Sequence, residues 1–249
     1  MTLIPAPSPL PAAVLWDMDG TLIDSEPYWM RAETELVESF GGVWTHSDGL
    51  LMVGSGLWNS AAILQGRGVD LDTDTIVQTL TARVQEQLVQ HGIPWRPGAR
   101  ELLHELKAAG VPTALVTMSV ERMARQVVDL MDFAAFDTIV AGDMVTRSKP
   151  DPEAYLLAAR TLGVDPAHCV AIEDSLPGVT AAVASGALTI AVPHIIDLPH
   201  SADYVRWESL ADRGAADITE LHLSHVAARA VGTAPALFPS TTVKDALTA

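Results

Sequence analysis

Acidic residues and one lysine follow the short apolar segments of this chain. Asp17 and Asp19 stand two positions apart directly after the run AVLW, and Glu173 and Asp174 lie at the end of the run CVAIED. Lys149 is one of only three lysines in 249 residues. Carboxylates that are buried close together repel one another and lose their hydration, so they require a cation or a shared proton. These residues therefore predict a site that binds a cation or performs acid–base chemistry.

The chemistry that fits these side chains is phosphoryl transfer. Several carboxylates in one crevice suit a hard divalent cation, and Mg²⁺ commonly binds to carboxylates together with water and substrate phosphate. Lys149 would add positive charge for a phosphate, and Thr117 would add a hydroxyl donor. A carboxylate beside a phosphoryl group can attack phosphorus. A second acid two positions on, on the same side of an extended backbone, can protonate the leaving oxygen and later activate water.

The sequence places these residues at the ends of predicted strands. After Pro97, helical segments alternate with the apolar runs VPTALVT, FDTIVAGD, HCVAIED and ALTIAV. This alternation is typical of right-handed crossover units and predicts a parallel sheet with helices on both faces, to which a strand at Ala13–Trp16 also belongs. Ligands of such sheets bind beyond the carboxyl ends of the strands. There we expect one site, formed by Asp17, Asp19, Thr117, Asp143, Lys149, Glu173 and Asp174.

A mostly helical segment interrupts the sheet pattern after the first strand. Between Tyr28 and Gln90, helical runs end at glycines, as helices commonly do, and Pro94 and Pro97 mark the return to the sheet pattern. We therefore expect an α/β protein with an inserted alpha-helical cap domain. The expected boundaries are an extended lead-in over residues 1–12, a core domain over 13–27 and 97–214, the cap over 28–96, and a C-terminal extension over 215–249.

Composition limits the class of protein. A formal net charge of −16 argues against binding of nucleic acid, which requires clustered Lys and Arg, but it permits a small anionic substrate.

The sequence has neither a run of about 20 apolar residues nor a basic signal-peptide region, so we expect no membrane partner and a cytoplasmic location. The single cysteine, Cys169, fits a reducing compartment and a place in the core. We expect a monomer, with a dimer as the alternative.

Four segments in order along the chain resemble the four sequence motifs of the haloacid dehalogenase superfamily. They are Asp17-Met18-Asp19-Gly20-Thr21, Thr117, Lys149-Pro150-Asp151, and Glu173-Asp174-Ser175 with Gly178. The helical segment after the first motif is similar to the alpha-helical cap of the β-phosphoglucomutase-like, sugar-phosphatase branch. The resemblance covers residues 14–210 approximately. It implies a Rossmann-like core, Mg²⁺ as the cofactor and a small phosphorylated metabolite as the substrate.

The resemblance also implies a role for each matching residue. Asp17 would be the nucleophile that forms an aspartyl-phosphate, and Asp19 would be the general acid and base. The phosphate and substrate contacts would come from Thr117, Met118, Lys149, Gly20 and Ser55. The Mg²⁺ ligands would be Asp17, the backbone carbonyl of Asp19, Asp174 and Glu173, the last directly or through water.

Other reactions of this superfamily fit the sequence less well. Dehalogenases lack the second aspartate, which is Asp19 here, and phosphonate hydrolases use a cap lysine, whereas no lysine precedes Lys107. A β-phosphoglucomutase would carry a cap lysine, and a histidine where this chain has Trp29. We therefore favour a phosphatase of a sugar or polyol phosphate, because the cap stretch LLMVGSGLWNSAA holds no Arg or Lys for a second phosphate. A phosphomutase and a non-enzymatic sugar-phosphate sensor stay as alternatives.

Overall fold

A six-stranded parallel sheet forms the centre of the computed structural model, which describes residues 10–230. The strands are β1 (Ala13–Trp16), β2 (Thr113–Val116), β3 (Thr138–Val140), β4 (Cys169–Glu173), β5 (Leu188–Ala191) and β6 (Val205–Arg206). They lie in the order β3-β2-β1-β4-β5-β6, and every neighbouring pair is parallel. The predicted α/β fold with a parallel sheet is confirmed. The two-residue strand β6 is an addition that the sequence did not indicate.

The central strands are continuously apolar because both faces of the sheet are covered. Every residue of β1, β2, β4 and β5 is buried. Neighbouring residues of β1 enter opposite halves of the core: Val14 and Trp16 lie on one face, and Ala13 and Leu15 on the other. Two apolar cores therefore hold the strand ends in place from both sides.

Four helices follow β1, over the segment that the sequence predicts to be helical. They are α1 (Glu26–Ser39), α2 (His46–Leu50), α3 (Leu57–Gly66) and α4 (Thr73–His91). The long helix α4 packs against both α1 and α3. The short helix α2 begins at a capping box, in which the side chains of Thr45 and Asp48 each accept a hydrogen bond from the backbone N–H of the other.

The helical segment is joined to the sheet by two stretches of chain that lie side by side. The N–H of Asp24 donates to the carbonyl of Pro94 across 2.7 Å, and the N–H of Arg96 donates to the carbonyl of Leu22 across 3.0 Å. The outgoing and returning chains are therefore hydrogen-bonded to each other. Because the outgoing chain leaves from the carboxyl end of β1, helices α1–α4 stand at that edge of the sheet.

Five further α-helices within the described residues cover the faces of the sheet. They are α5 (Ala99–Ala108), α6 (Glu121–Asp129), α7 (Glu153–Leu162), α8 (Leu176–Ser185) and α9 (Ala215–Ala230). Helices α7 and α8 pack on the face that holds Leu15, and α5, α6 and α9 pack on the face that holds Trp16. No helix in this part of the chain combines the length and apolar character needed to span a bilayer. Parts of the predicted lead-in and C-terminal extension, residues 1–9 and 231–249, lie outside the described residues.

Candidate active site

The carboxyl ends of β1, β2 and β4 bring the predicted residues to one edge of the sheet. Asp17 follows β1, Thr117 follows β2, Glu173 ends β4, and Asp174 comes next. Strands β2, β1 and β4 are neighbours, so these side chains converge. Lys149 reaches the same point from the loop before α7. All five residues are buried.

Lys149 is the cation at the centre of this cluster. Its Nζ lies 2.7 Å from Oδ1 of Asp17 and 2.5 Å from Oε1 of Glu173, and it donates to the carbonyl of Val116 across 3.0 Å. Only 3% of its side chain is exposed. Burial by itself would lower the pKa of Lys149, but the carboxylates of Asp17 and Glu173 outweigh burial and raise the pKa above its usual value. Lys149 is therefore a fixed positive charge.

Glu173 is held by donors from several segments. Lys149 and the hydroxyl of Tyr155 on α7 both donate to Oε1, each across 2.5 Å, and Ser175 donates to Oε2 across 3.4 Å. This carboxylate has room only because residue 178 is a glycine: a Cβ on Gly178 would lie 1.9 Å from Oε2. Glu173 is thus placed to orient Lys149. Sequence reasoning missed Tyr155, since no motif surrounds it.

Asp17 and Asp174 have raised pKa values. Burial raises the pKa of Asp17 to about 7; repulsion from Glu173 adds to this effect, and Lys149 opposes it. Burial, followed by repulsion from Asp17 and Glu173, raises the pKa of Asp174 well above its ordinary value. One lysine therefore does not balance three buried carboxylates. The cluster has an excess of negative charge that a bound cation would relieve.

The same three carboxylates are arranged so that they could hold a metal ion. One oxygen from each of Asp17, Glu173 and Asp174 lies within 4.8 Å of the others. Thr21 donates to Oδ1 of Asp174 across 3.0 Å and so orients that carboxylate. Gly20 adopts a φ of +90°, and a Cβ at this position would lie 2.2 Å from Oδ2 of Asp174. An all-oxygen donor set of this kind suits a hard divalent cation.

The side chain of Asp19 accepts hydrogen bonds on both oxygens. Ser25 and the indole Nε1 of Trp29 donate to Oδ1 across 2.5 and 3.1 Å. Ser119 and Thr117 donate to Oδ2 across 2.7 and 3.3 Å. One oxygen is therefore fixed from the side of α1 and the other from the loop after β2. Sequence reasoning missed Ser25 and Ser119, although Ser119 lies at the same strand end as Thr117 and was open to the same argument.

The other predicted residues divide between the site and the surface. Met118 and Ser55 both line the cleft that opens from the cluster, and the Sδ of Met118 accepts a hydrogen bond from the N–H of Lys149 across 3.3 Å. The prediction that Asp143 joins the site is wrong. Asp143 is exposed and accepts a hydrogen bond from the N–H of Glu121 across 2.8 Å, at the start of α6.

The cleft continues between the sheet and helices α1 and α3. Its wall on the helical side includes Glu26 and Glu33 of α1 and Ser60 of α3, and His194 borders it from the loop after β5. Nε2 of His194 lies 2.9 Å from Oδ1 of Asp24, so this loop contacts the chain that leads into α1. Sequence reasoning missed Glu33 and His194, because neither lies at a strand end or within a motif.

A comparison with protein families finds a match over most of the chain. The model of haloacid dehalogenase-like hydrolases matches residues 11–186. This stretch contains Lys149 and the three carboxylates around it, which are those of Asp17, Glu173 and Asp174. It also contains the neighbouring Asp19.

Known proteins resemble the chain over most of their own length. Hexitol phosphatase B of Escherichia coli (strain K12) is 33% identical over 217 residues, which cover 84% of this chain and 93% of that protein. A phosphorylated carbohydrates phosphatase of Thermotoga maritima is 34% identical over 178 residues, which cover 70% of this chain and 81% of that protein. The crystal structure of CbbY from Rhodobacter sphaeroides in complex with phosphate is 30% identical and matches with a TM-score of 0.77, covering 84% of this chain and 99% of that one.

Proposed function

The chain belongs to the haloacid dehalogenase-like hydrolases, and we propose that it hydrolyses the monophosphate of a sugar or polyol. It is a phosphatase of small phosphomonoesters, in keeping with the hexitol and carbohydrate phosphatases to which it is similar. The observation that supports this function best is the position of Lys149. Its Nζ lies 2.7 Å from Asp17 and 2.5 Å from Glu173, so a fixed cation stands beside the candidate nucleophile.

In this proposal Asp17 is the nucleophile and Asp19 is the general acid and base. An oxygen of Asp17 attacks phosphorus, and the bond from phosphorus to the leaving oxygen breaks as Asp19 donates a proton to that oxygen. The alcohol leaves and an aspartyl-phosphate remains. Asp19 then removes a proton from a water molecule, whose oxygen attacks phosphorus. Inorganic phosphate is released, and Asp17 returns to its carboxylate form.

We assign the remaining contacts of the phosphoryl group to the strand ends. Lys149 compensates its negative charge, and Thr117 donates a hydrogen bond. Gly20 and Met118 border the same end of the cleft, and Ser55 faces the rest of the substrate from the helical side.

Mg²⁺ is the cofactor that we propose. Asp17, the backbone carbonyl of Asp19, and Asp174 would hold the ion, and the excess negative charge of the cluster supports this assignment. Glu173 would contribute through water, since both of its oxygens already accept hydrogen bonds. When bound, Mg²⁺ would neutralise charge on the phosphoryl oxygens and reduce their repulsion by the carboxylates.

We further propose that residues 28–96 act as a cap over the cleft. The paired chains at Asp24 and Pro94 would be the hinge, and side chains from both the helices and the sheet line the cleft. Closure would exclude bulk water during phosphoryl transfer, and opening would release the product.

Phosphate release from a panel of sugar phosphates, polyol phosphates, phosphoglycolate and nucleotides, with and without Mg²⁺, tests this function. We expect Mg²⁺-dependent release that Asp17→Asn lowers by at least about 1,000-fold. Asp143→Asn is the matched control, because Asp143 also follows a strand of the sheet but is exposed. Asp174→Asn should raise the Mg²⁺ concentration for half-maximal rate at least about tenfold.

Two outcomes would contradict the proposal. Conversion of β-glucose 1-phosphate into glucose 6-phosphate without net release of phosphate would identify a phosphomutase. Binding of sugar phosphates without turnover of any member of the panel would identify a sensor.

A further inference from the structure

The helical side of the cleft carries polar side chains that the hydrolysis mechanism does not use. Glu26 and Glu33 of α1 and Ser60 of α3 all line the cleft. Glu33 and Ser60 are 5% and 4% exposed, and Glu26 is partly buried. Polar groups that are buried to this extent normally have hydrogen-bond partners. Whether these groups have partners within the protein therefore indicates whether they are structural or bind a ligand.

Glu33 is held on one oxygen and free on the other. The indole Nε1 of Trp44 donates to Oε2 across 3.2 Å, and no residue in the described part of the chain donates to Oε1. The hydroxyl of Ser60 likewise has no hydrogen-bond partner within residues 10–230. Both side chains border the cleft, and their free oxygens are open to it rather than enclosed in the interior, so hydroxyl groups of a bound molecule can form hydrogen bonds with them.

The position of Glu33 along α1 determines which part of a substrate it meets. Glu26, Trp29 and Glu33 share one face of the helix, at spacings of three and four residues. Trp29 donates to Asp19, so it marks the end of the cleft where the phosphoryl group reacts. Glu33 lies one turn further on, about 6 Å along the helix axis. A substrate whose phosphate is at Asp17 therefore reaches Glu33 only with its opposite end.

Charge decides which chemical groups this end of the cleft accepts. Burial raises the pKa of Glu33 to about 7, although its bond with Trp44 opposes the shift. Burial, with repulsion from Glu33, Asp19 and Asp24, raises the pKa of Glu26 to about 8. Lys149 is the only Lys or Arg among the described residues that line the cleft, and it already contacts Asp17. A second phosphate would therefore find no free cation to compensate its charge, whereas hydroxyl groups can both donate to and accept from these carboxyl groups.

We propose that Glu33, together with Ser60, forms a subsite for the hydroxyl groups at the unphosphorylated end of a hexitol or hexose monophosphate. Trp44 positions the carboxylate of Glu33. The subsite selects long monophosphates over bisphosphates and over short substrates such as glycerol 3-phosphate, which end before they reach Glu33. This inference rests on the proposed phosphatase function and specifies how that site recognises its substrate.

A comparison of long and short substrates tests the subsite. Glu33→Leu should lower kcat/KM for sorbitol 6-phosphate about 10- to 100-fold, as expected for lost hydrogen bonds to a charged group, and change the value for glycerol 3-phosphate by less than about twofold. Ser60→Ala should show the same selectivity with a smaller loss. Glu35→Gln is the matched control, because Glu35 lies on the same helix, pairs with Arg31 and has 46% of its side chain exposed. It should leave both substrates unaffected.

Several outcomes would overturn the subsite. An equal loss for both substrates would mean that Glu33 only supports the fold of α1, and an unchanged rate with sorbitol 6-phosphate would mean that Glu33 does not contact it. A preference for glucosamine 6-phosphate over glucose 6-phosphate that Glu33→Gln removes would show that an ammonium group, rather than a hydroxyl group, binds there. If Glu33→Leu does not fold, Glu33→Gln, which keeps an acceptor for Trp44, provides the same comparison.

Failure of the proposed function would be a separate result. In that case the wild type releases phosphate from neither substrate, nor from p-nitrophenyl phosphate. Calorimetric titration of sorbitol 6-phosphate into the wild type and into Glu33→Gln then tests the subsite by itself. Weaker binding to the variant supports the subsite, and equal or absent binding to both overturns it.

Discussion

Trp29 of α1 donates a hydrogen bond from its indole Nε1 to Oδ1 of Asp19 across 3.1 Å. This bond joins the helical segment to the loop after β1, where the proposed general acid and base lies. An indole N–H is a donor only, and it does not titrate in the working range of an enzyme. The orientation of Asp19 therefore depends on where α1 stands and not on the protonation of its partner, as it would with a histidine in this position.

Removing this donor should impair protonation of the leaving group. Trp29→Phe is expected to slow hydrolysis of an alkyl phosphate about tenfold, because Asp19 loses one hydrogen bond that orients it. The loss should be smaller with p-nitrophenyl phosphate, whose leaving group needs little protonation. Steady-state kinetics with both substrates checks this. Trp58→Phe is the control, since Trp58 donates its indole N–H to Asp74. Equal losses with both substrates would show that Trp29 only packs.

Removing the charge of Lys149 should destabilise the protein as well as inactivate it. Lys149→Met leaves the buried carboxylates of Asp17 and Glu173 without a cation, which should lower the free energy of unfolding by about 3–5 kcal/mol. A second change, Glu173→Gln, should restore part of that stability but none of the activity. Urea unfolding and phosphate release separate the two effects. If the double variant is no more stable than Lys149→Met, charge balance is not what links these two residues.

A methyl group at position 178 should displace Glu173 and with it Lys149. A Cβ on Gly178 would lie 1.9 Å from Oε2 of Glu173, so the carboxylate has to move. Gly178→Ala should therefore lower kcat about 100-fold, the size of effect that a displacement of about 1 Å produces in an active site. Gly66→Ala is the control, because a Cβ on Gly66 meets nothing within 4 Å. Wild-type activity in Gly178→Ala would mean that Glu173 does not position Lys149.

Glu33 should make the stability of the protein depend on pH. Its pKa rises from an ordinary value of 4.5 to about 7 in the folded state, chiefly through burial, so the folded protein binds a proton that the unfolded chain has lost. The stabilising contribution of this proton is complete below pH 4.5 and disappears as the pH rises through 7. Glu33→Gln removes this dependence. Relative to the wild type, the variant should gain about 3 kcal/mol between pH 4 and pH 8.

Urea unfolding at both pH values measures this difference directly. Glu26 lies close enough for Glu33 to add to its raised pKa, which is shifted in the same direction, so the Glu33→Gln variant should retain a smaller pH dependence that comes from Glu26. Glu35→Gln, at an exposed position of the same helix, should show no relative gain. A constant difference between Glu33→Gln and the wild type at both pH values would contradict the raised pKa of Glu33.

The parallel sheet and the acids at its edge were predictable from the sequence alone. Strands covered on both faces must be continuously apolar, so β1, β2, β4 and β5 stand out as short apolar runs between helices. Parallel strands also place their carboxyl ends at one edge, so Asp17, Thr117 and Glu173 were expected to meet, and they do. Periodicity and chain direction are local properties, and a sequence records them directly.

The contacts between distant segments were decided only by the tertiary structure. Tyr155 meets Glu173, Trp29 meets Asp19, and the carboxylate of Glu33 is held by Trp44 in the wall of the cleft. Asp143 is an example of a prediction that failed for the same reason. It follows a strand as predicted, but its carboxylate accepts a hydrogen bond at the start of α6 and does not join the site. The rotation of a helix about its axis and the course of a loop depend on packing between elements. No spacing of residues along the chain records that packing.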